Sequence, residues 1–170
     1  PDEYGYYIFD SEDTEYPIAP VYDWIEIGPG SGLGTSLGFE DAGNGCLTTG
    51  GWYGCNGFPD DIAVVSLGFD FDFYGVTYDE ITVNSNGYVS FVRNDMSSFR
   101  NYTIPGAGGP SPMVAAFWDD LKVGHNNSAK VYKYVTDEYV VIQWYEVETY
   151  QNDSDNNFQI IIYNPDYQSH

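Results

Sequence analysis

The chain has 170 residues, 18% of them aromatic, with 26 acids against 5 Lys+Arg and a formal net charge of -21. That length suffices for one domain with a buried core, and so many aromatics exclude a disordered chain. The charge argues against binding to nucleic acid or to anionic membrane surfaces, both of which need clustered cations.

In chain order, Tyr4–Phe9 is aromatic-rich and reads as a first strand, and the acidic Ser11–Tyr16 reads as a loop. After Pro17 and Pro20, Tyr22-Asp23-Trp24-Ile25-Glu26-Ile27 reads as a strand. Gly28–Gly57 is Gly-rich and holds both cysteines, so it reads as a long loop. Its Gly28-x-Gly30-x-Gly32 precedes no helical pattern, which argues against a dinucleotide site. From Ile62 the period is two: Ile62, Val64 and Ser66 alternate with Ala63, Val65 and Leu67. Phe69, Phe71 and Phe73 then alternate with Asp70 and Asp72. That is a half-buried strand.

Glu80–Asn84 and Gly87–Val92 form the clearest hairpin, turning at Asn84-Ser85-Asn86-Gly87. Asn101–Pro112 is a Pro/Gly loop, and Met113–Trp118 is continuously apolar, as in a strand covered on both faces. Lys130–Val135, Tyr139–Val147 and Asn157–Tyr163 complete the strands. No window carries a capped 3.6-residue apolar repeat, so almost no helix is expected. Eight or more short strands predict an all-β fold, an antiparallel β-sandwich of jelly-roll-like kind, in one domain spanning 1–170.

Several motifs together resemble a known family. They run Phe69-x-Phe71-x-Phe73-Tyr74-Gly75-x-x-Tyr78, Ile81-x-Val83-x-Ser85-Asn86-Gly87, Phe99-Arg100-Asn101-Tyr102-x-Ile104-Pro105 and Val114-Ala115-Ala116-Phe117-Trp118-Asp119-Asp120-Leu121. Val131-Tyr132-x-Tyr134, Val141-x-Gln143-Trp144 and Phe158-Gln159-x-Ile161-x-Tyr163 follow. This order resembles the β-sandwich accessory module of secreted, type IX-exported bacterial peptidases of gingipain-like and subtilisin-like kind. It is more distantly similar to the nidogen-type extracellular domain. The resemblance implies a non-catalytic role outside the cell or at its surface. It also implies one further strand after Asn157–Tyr163, before which the chain stops. The slot would be filled by a continuation of the chain, by another local segment, or by a neighbouring subunit. The natural donor in the last case is Tyr4–Phe9 (Tyr4, Tyr6, Tyr7, Ile8 and Phe9), which would build a fibre. An export signal would have been removed, or would lie in a larger precursor.

The carboxylate surplus is either a solvated surface or a provision for divalent cations. Asp119-Asp120, with Asp60, Asp61 or Asn126, is a candidate calcium site; the alternative is a turn in which the aspartates bind backbone N–H groups. Asp70 and Asp72, about 7 Å apart on one strand face, read as solvated. A zinc site at Cys46 and Cys55 lacks further ligands, because His125 and His170 are the only histidines. The expected arrangement is a Cys46–Cys55 disulfide in an oxidising compartment. Trp52-Tyr53, inside that loop, either stacks on a sugar or partner surface or folds back on the sheet. Asn101, Asn126 and Asn152 begin glycosylation sequons.

Neither histidine has the neighbours of a Ser-His-Asp set, and neither cysteine has an activating base. The expectation is therefore a structural or adhesion module, self-assembling or joined to neighbouring domains. The alternatives are a recognition domain of a secreted peptidase and a carbohydrate-binding module. No nucleic-acid partner, membrane insertion or cofactor besides calcium is expected.

Overall fold

A computed structural model describes residues 1–41, 61–94, 99–104, 106, 109–124, 130–152 and 154–167. The strands among them are β1 (Thr35–Ser36), β2 (Ile62–Phe73), β3 (Val76–Asn84), β4 (Tyr88–Ser90), β5 (Met113–Ala115), β6 (Leu121–Lys122), β7 (Lys130–Val135), β8 (Tyr139–Thr149) and β9 (Asn156–Tyr163). No described residue is helical. Every strand pairing is antiparallel. One sheet runs β2-β3-β4-β5, and the other runs β1-β7-β8-β6 with β9 on the remaining side of β8. The fold is an all-β sandwich.

The period-two pattern explains which faces meet. On β2, Val65 and Leu67 are buried while Ile62 and Val64 face solvent. Phe69, Phe71 and Phe73 continue the inner face against the core. β3 and β4 add Ile81, Val83 and Val89, and Phe91 follows. The opposing sheet supplies Val131, Val140, Ile142, Trp144, Ile160 and Ile162. The alternation has a simple cause: successive strand side chains point to opposite faces, so one apolar face per sheet can be hidden.

Two expected strands are not strands. Residues Tyr4–Phe9 have no ladder; Asp2 closes a turn by donating its N–H to Tyr6 O (2.9 Å). Tyr22–Ile27 runs over the outer face of the β7-β8-β9 sheet instead of joining an edge. Ile25 N–H donates to Gln159 Oε1 (3.1 Å), Gln159 Nε2 donates to Ile25 O (2.9 Å), and Ile27 N–H donates to Gln143 Oε1 (3.1 Å). Gln143 and Gln159 are direct partners in the β8–β9 register, so their amides stand side by side under this strap. Aromatic and β-branched content had signalled extended backbone. Side-chain amides, rather than a neighbouring strand, satisfy it.

The stretch Gly28–Gly57, expected as loop, contributes β1, which lies at the free edge of β7. Its Asp41 bridges to Val123 by reciprocal backbone bonds of 2.7 Å. β9 pairs only with β8 among the described residues, so its outer edge is open there.

The strap carries a pH dependence. Glu26 accepts from Trp24 Nε1 (3.0 Å), Gly28 N–H (2.6 Å) and Gln143 Nε2 (3.2 Å). The Trp24 indole first, then the Gly28 amide, holds this carboxyl below the ordinary glutamate range. A depressed folded pKa gives stability that is present above the unfolded value of about 4.3 and lost as pH falls through the folded one. Wild-type stability from urea melts should therefore fall more steeply below about pH 5 than that of Glu26→Gln. Parallel pH profiles for the two proteins would refute the assignment.

Candidate functional site

Two sites emerge, one polar and one aromatic. The polar one gathers around the Ser85-Asn86-Gly87 turn between β3 and β4. Asp61 N–H donates to Ser85 Oγ (3.1 Å), Ser85 N–H donates to Asp61 O (2.9 Å), and Ser85 Oγ donates to Asp41 Oδ2 (2.5 Å). Asn86 N–H donates to Asn84 Oδ1 (2.8 Å), and Asn86 Oδ1 accepts from Leu121 N–H (2.9 Å). From the other sheet, Trp144 Nε1 donates to Asn84 O (3.2 Å) and Ser85 O (3.1 Å). Asp41, Asn84, Ser85 and Asn86 are all buried. Buried polar groups are mostly paired: the Asn84, Ser85 and Asn86 side-chain oxygens serve backbone N–H groups and Asp41 accepts the Ser85 hydroxyl, while Asn86 Nδ2 has no hydrogen-bond partner among the described residues. The cluster is a latch that ties the β3–β4 turn to β6 and β8.

The candidate calcium residues divide around this latch. Asp61 belongs to it, its carboxylate accepting Glu40 N–H (2.5 Å), and burial pushes its carboxyl above the ordinary aspartate range. Asp119 donates its N–H to Asn86 O (3.4 Å) and accepts Asp120 N–H at Oδ1 (2.8 Å). Asp120 O accepts Tyr150 N–H (2.7 Å). Among the described residues no three His, Cys, Asp or Glu side chains form a metal-binding group. Asp60 and Asn126 lie outside the described residues, as do the expected Cys46–Cys55 pairing and the Trp52-Tyr53 pair. Asn101 and Asn152 are exposed.

The aromatic site begins at the β2–β3 turn. Tyr74 and Gly75 have φ of 49° and 77°, the left-handed pair that a tight two-residue hairpin demands. Glycine or asparagine usually fills the first position; a tyrosine held there costs on the order of 1–3 kcal/mol. Tyr6 supports it, donating its hydroxyl to Asp72 O (3.2 Å) and accepting Tyr74 N–H (3.1 Å). Tyr6 also packs on Phe73 and Tyr74 at 5.8 and 4.8 Å, and Tyr4 meets Tyr74 edge-on at 5.1 Å. Burial first, then the Asp2 charge, pushes the Tyr74 hydroxyl above its ordinary range. The expected strand donors Tyr4 and Tyr6 are thus docked on their own subunit by side chains. Ile8, beside them, is 97% exposed. Between Tyr6–Ile8, this turn and β5 opens an apolar groove of about 770 Å³.

Sequence reasoning singled out Ser85-Asn86-Gly87 as a turn but missed the polar role of Asn84, Ser85 and Asn86, and missed Asp41 altogether. The three small polar residues at a hairpin tip were the available signal. Asp41 carried none, because it lies in a Gly-rich stretch.

This geometry defines a β-sandwich module latched at one end by buried polar side chains and ringed by aromatics at a turn. Residues 49–166 match the family described as NIDO related, and the chain belongs to that family. That membership bears out the nidogen-type half of the resemblance and makes this an extracellular module. No curated protein and no solved structure matches the chain. Among the described residues no helix is long and apolar enough to cross a membrane.

Proposed function

We propose that this domain is a non-catalytic structural or adhesion module, which works by binding other extracellular chains. The observation that carries the reading is the concentration of exposed apolar side chains, interspersed with acids, along its N-terminal segment. Ile8, Val21 and Tyr22 are 97%, 90% and 81% exposed, and Tyr4, Tyr7, Tyr16 and Ile18 are at least half exposed. Single exposed apolar residues are ordinary, but a concentration of them on one segment marks a surface that a partner covers. The buried polar cluster supports the non-catalytic part of the reading, since its Asn84, Ser85 and Asn86 oxygens are engaged by backbone N–H groups.

A fibre built by donating Tyr4–Phe9 would require Tyr6 to release Asp72 and Tyr74. Contact with a neighbouring domain or a different chain requires no such release, so it stands first. The partner in that case is a surface protein, or a larger secreted protein of the peptidase kind.

Hydroxyl-radical footprinting tests the proposal. Ile8, Val21 and Tyr22 should be oxidised readily in the isolated domain and protected in the protein on the surface of cells that secrete it. Equal oxidation in both states would remove the basis for the reading. Calcium at Asp119, Asp120, Asp60 and Asp61 belongs to the same proposal. A ligand that binds only the folded state stabilises it by RT ln(1 + [L]/Kd), so millimolar calcium should raise Tm by a few degrees. Identical melting in calcium and in EDTA would exclude the site.

A further inference from the structure

We propose that the groove beside β5 is a strand-addition site for an extended, Lys- or Arg-bearing segment of another protein chain. This deepens the adhesion reading, on which it rests, by giving it one surface and one partner chemistry.

The first observation is an open strand edge. Among the described residues β5 is the last strand of its sheet and pairs only with β4, in the register Ser90↔Met113, Val89↔Val114 and Tyr88↔Ala115. Phe91 N–H donates to Pro112 O (3.1 Å), and Ala116 N–H donates to Gly87 O (3.2 Å). Antiparallel ladders alternate, so 112, 114 and 116 turn their backbone groups toward β4. Met113 and Ala115 must then turn their N–H and C=O groups outward. Such an edge is a template for a further strand.

The second observation is what borders this edge. The groove lies along Met113 and Ala115, with Tyr6, Phe73, Tyr74 and Trp118 among its walls. About 770 Å³ is within the range of ligand clefts. An added strand would send alternate side chains toward these rings.

The third is charge. The groove's lining residues carry no carboxylate, ammonium or guanidinium, and carboxylates neighbour three of them along the chain or by a hydrogen bond. Asp72 precedes Phe73, Asp119 follows Trp118, and Asp2 accepts Tyr6 N–H (2.9 Å). That Tyr6 bond is the main cause keeping the Asp2 carboxyl below its ordinary range, so it stays charged. The first Lys or Arg along the chain is Arg93. Aromatic faces attract ammonium and guanidinium groups. Lys and Arg stems also cover apolar surface while their heads reach nearby carboxylates. A second copy of this chain would instead bring -21 against -21. Tyr74, kept in a left-handed conformation better suited to glycine, is accounted for if its ring is needed at this wall.

The test uses three synthetic peptides: (Val-Lys)4, (Val-Glu)4, and a (Val-Lys)4 variant with a central valine replaced by proline. Titration calorimetry at physiological salt gives affinity, and amide hydrogen exchange locates the contact. (Val-Lys)4 should bind and slow exchange at Met113 and Ala115. (Val-Glu)4 should bind at least tenfold more weakly. The proline peptide has the same charge but cannot complete the ladder, and should also lose at least tenfold. Ala115→Pro removes an outward N–H without touching the β4 ladder, and should abolish binding with near-UV circular dichroism unchanged. Tyr74→Gly suits the turn; it should keep the fold and weaken (Val-Lys)4 binding severalfold.

Equal binding of the two lysine peptides would show charge attraction alone and overturn the proposal. So would unchanged exchange at Met113 and Ala115. Slowed exchange there in the protein alone as its concentration rises would make a second copy the occupant, and would overturn it too. Should Ala115→Pro fail to fold, unaltered binding to Tyr74→Gly is the overturning result. Val21 and Tyr22 do not line the groove, so their footprint tests the adhesion reading separately.

Discussion

Replacing Gly87 with alanine is expected to destabilise the domain by about 2–4 kcal/mol, a fall of roughly 5–15 °C in Tm. Two costs combine. Gly87 has φ of 84°, a conformation that side chains rarely adopt. A Cβ built there would also run into the Phe117 carbonyl and crowd Leu121 Cδ1. The backbone cannot easily yield, because Gly87 O accepts both Ala116 N–H (3.2 Å) and Phe117 N–H (3.3 Å). The turn is pressed between β4 and the segment leading to β6. Thermal melts followed by near-UV circular dichroism measure the effect. A shift under about 2 °C would mean that the turn relaxes freely, contrary to this packing.

The second large effect is expected at Trp144. Its side chain is fully buried on β8 and stacks on Phe158 at 5.0 Å, and its Nε1 reaches across to the opposing sheet. Trp144→Ala should cost about 3–5 kcal/mol, from lost transfer energy and the cavity left behind. Trp144→Phe keeps much of the volume but leaves Asn84 O and Ser85 O without this donor, and should cost about half as much. The difference between the two separates packing from hydrogen bonding. Urea denaturation with an unchanged m-value measures both. Equal losses would place most of the cost in the Nε1 bonds; a loss under about 1 kcal/mol for alanine would contradict the burial.

Both sites mix features that were legible with features that were not. The Asn84-Ser85-Asn86-Gly87 turn was plain because only a tight hairpin needs a positive φ at that place. That Ser85 would meet Asp41, 44 residues earlier, depends on Asp41 bridging to Val123, and no local pattern encodes that. The same holds for the groove. Phe73-Tyr74-Gly75 read as part of a family motif. The proximity of Tyr6 and β5 follows from tertiary packing of a segment without a ladder.

The misread strands have a common cause. Tyr4–Phe9 and Tyr22–Ile27 are rich in residues that favour extended backbone, and such composition does not tell a strand from a strap. One was settled by Tyr6 binding the Tyr74 turn, the other by Gln143 and Gln159 lying side by side. Conversely, β1 and β6 have two residues each and were invisible, because two residues carry no period.

By itself the sequence determined the β class, the period-two alternation of β2, the hairpin at Gly87 and the nidogen-type kinship. These rest on local rules: period-two burial, turn stereochemistry and motif order. Tertiary structure alone decided which strands neighbour which, the latch that Asp41 and Trp144 complete, and the β5 edge, open among the described residues, beside its aromatic wall. Those depend on contacts between residues far apart in the chain. Their energies come from burial and hydrogen bonding that exist only once both sheets are in place.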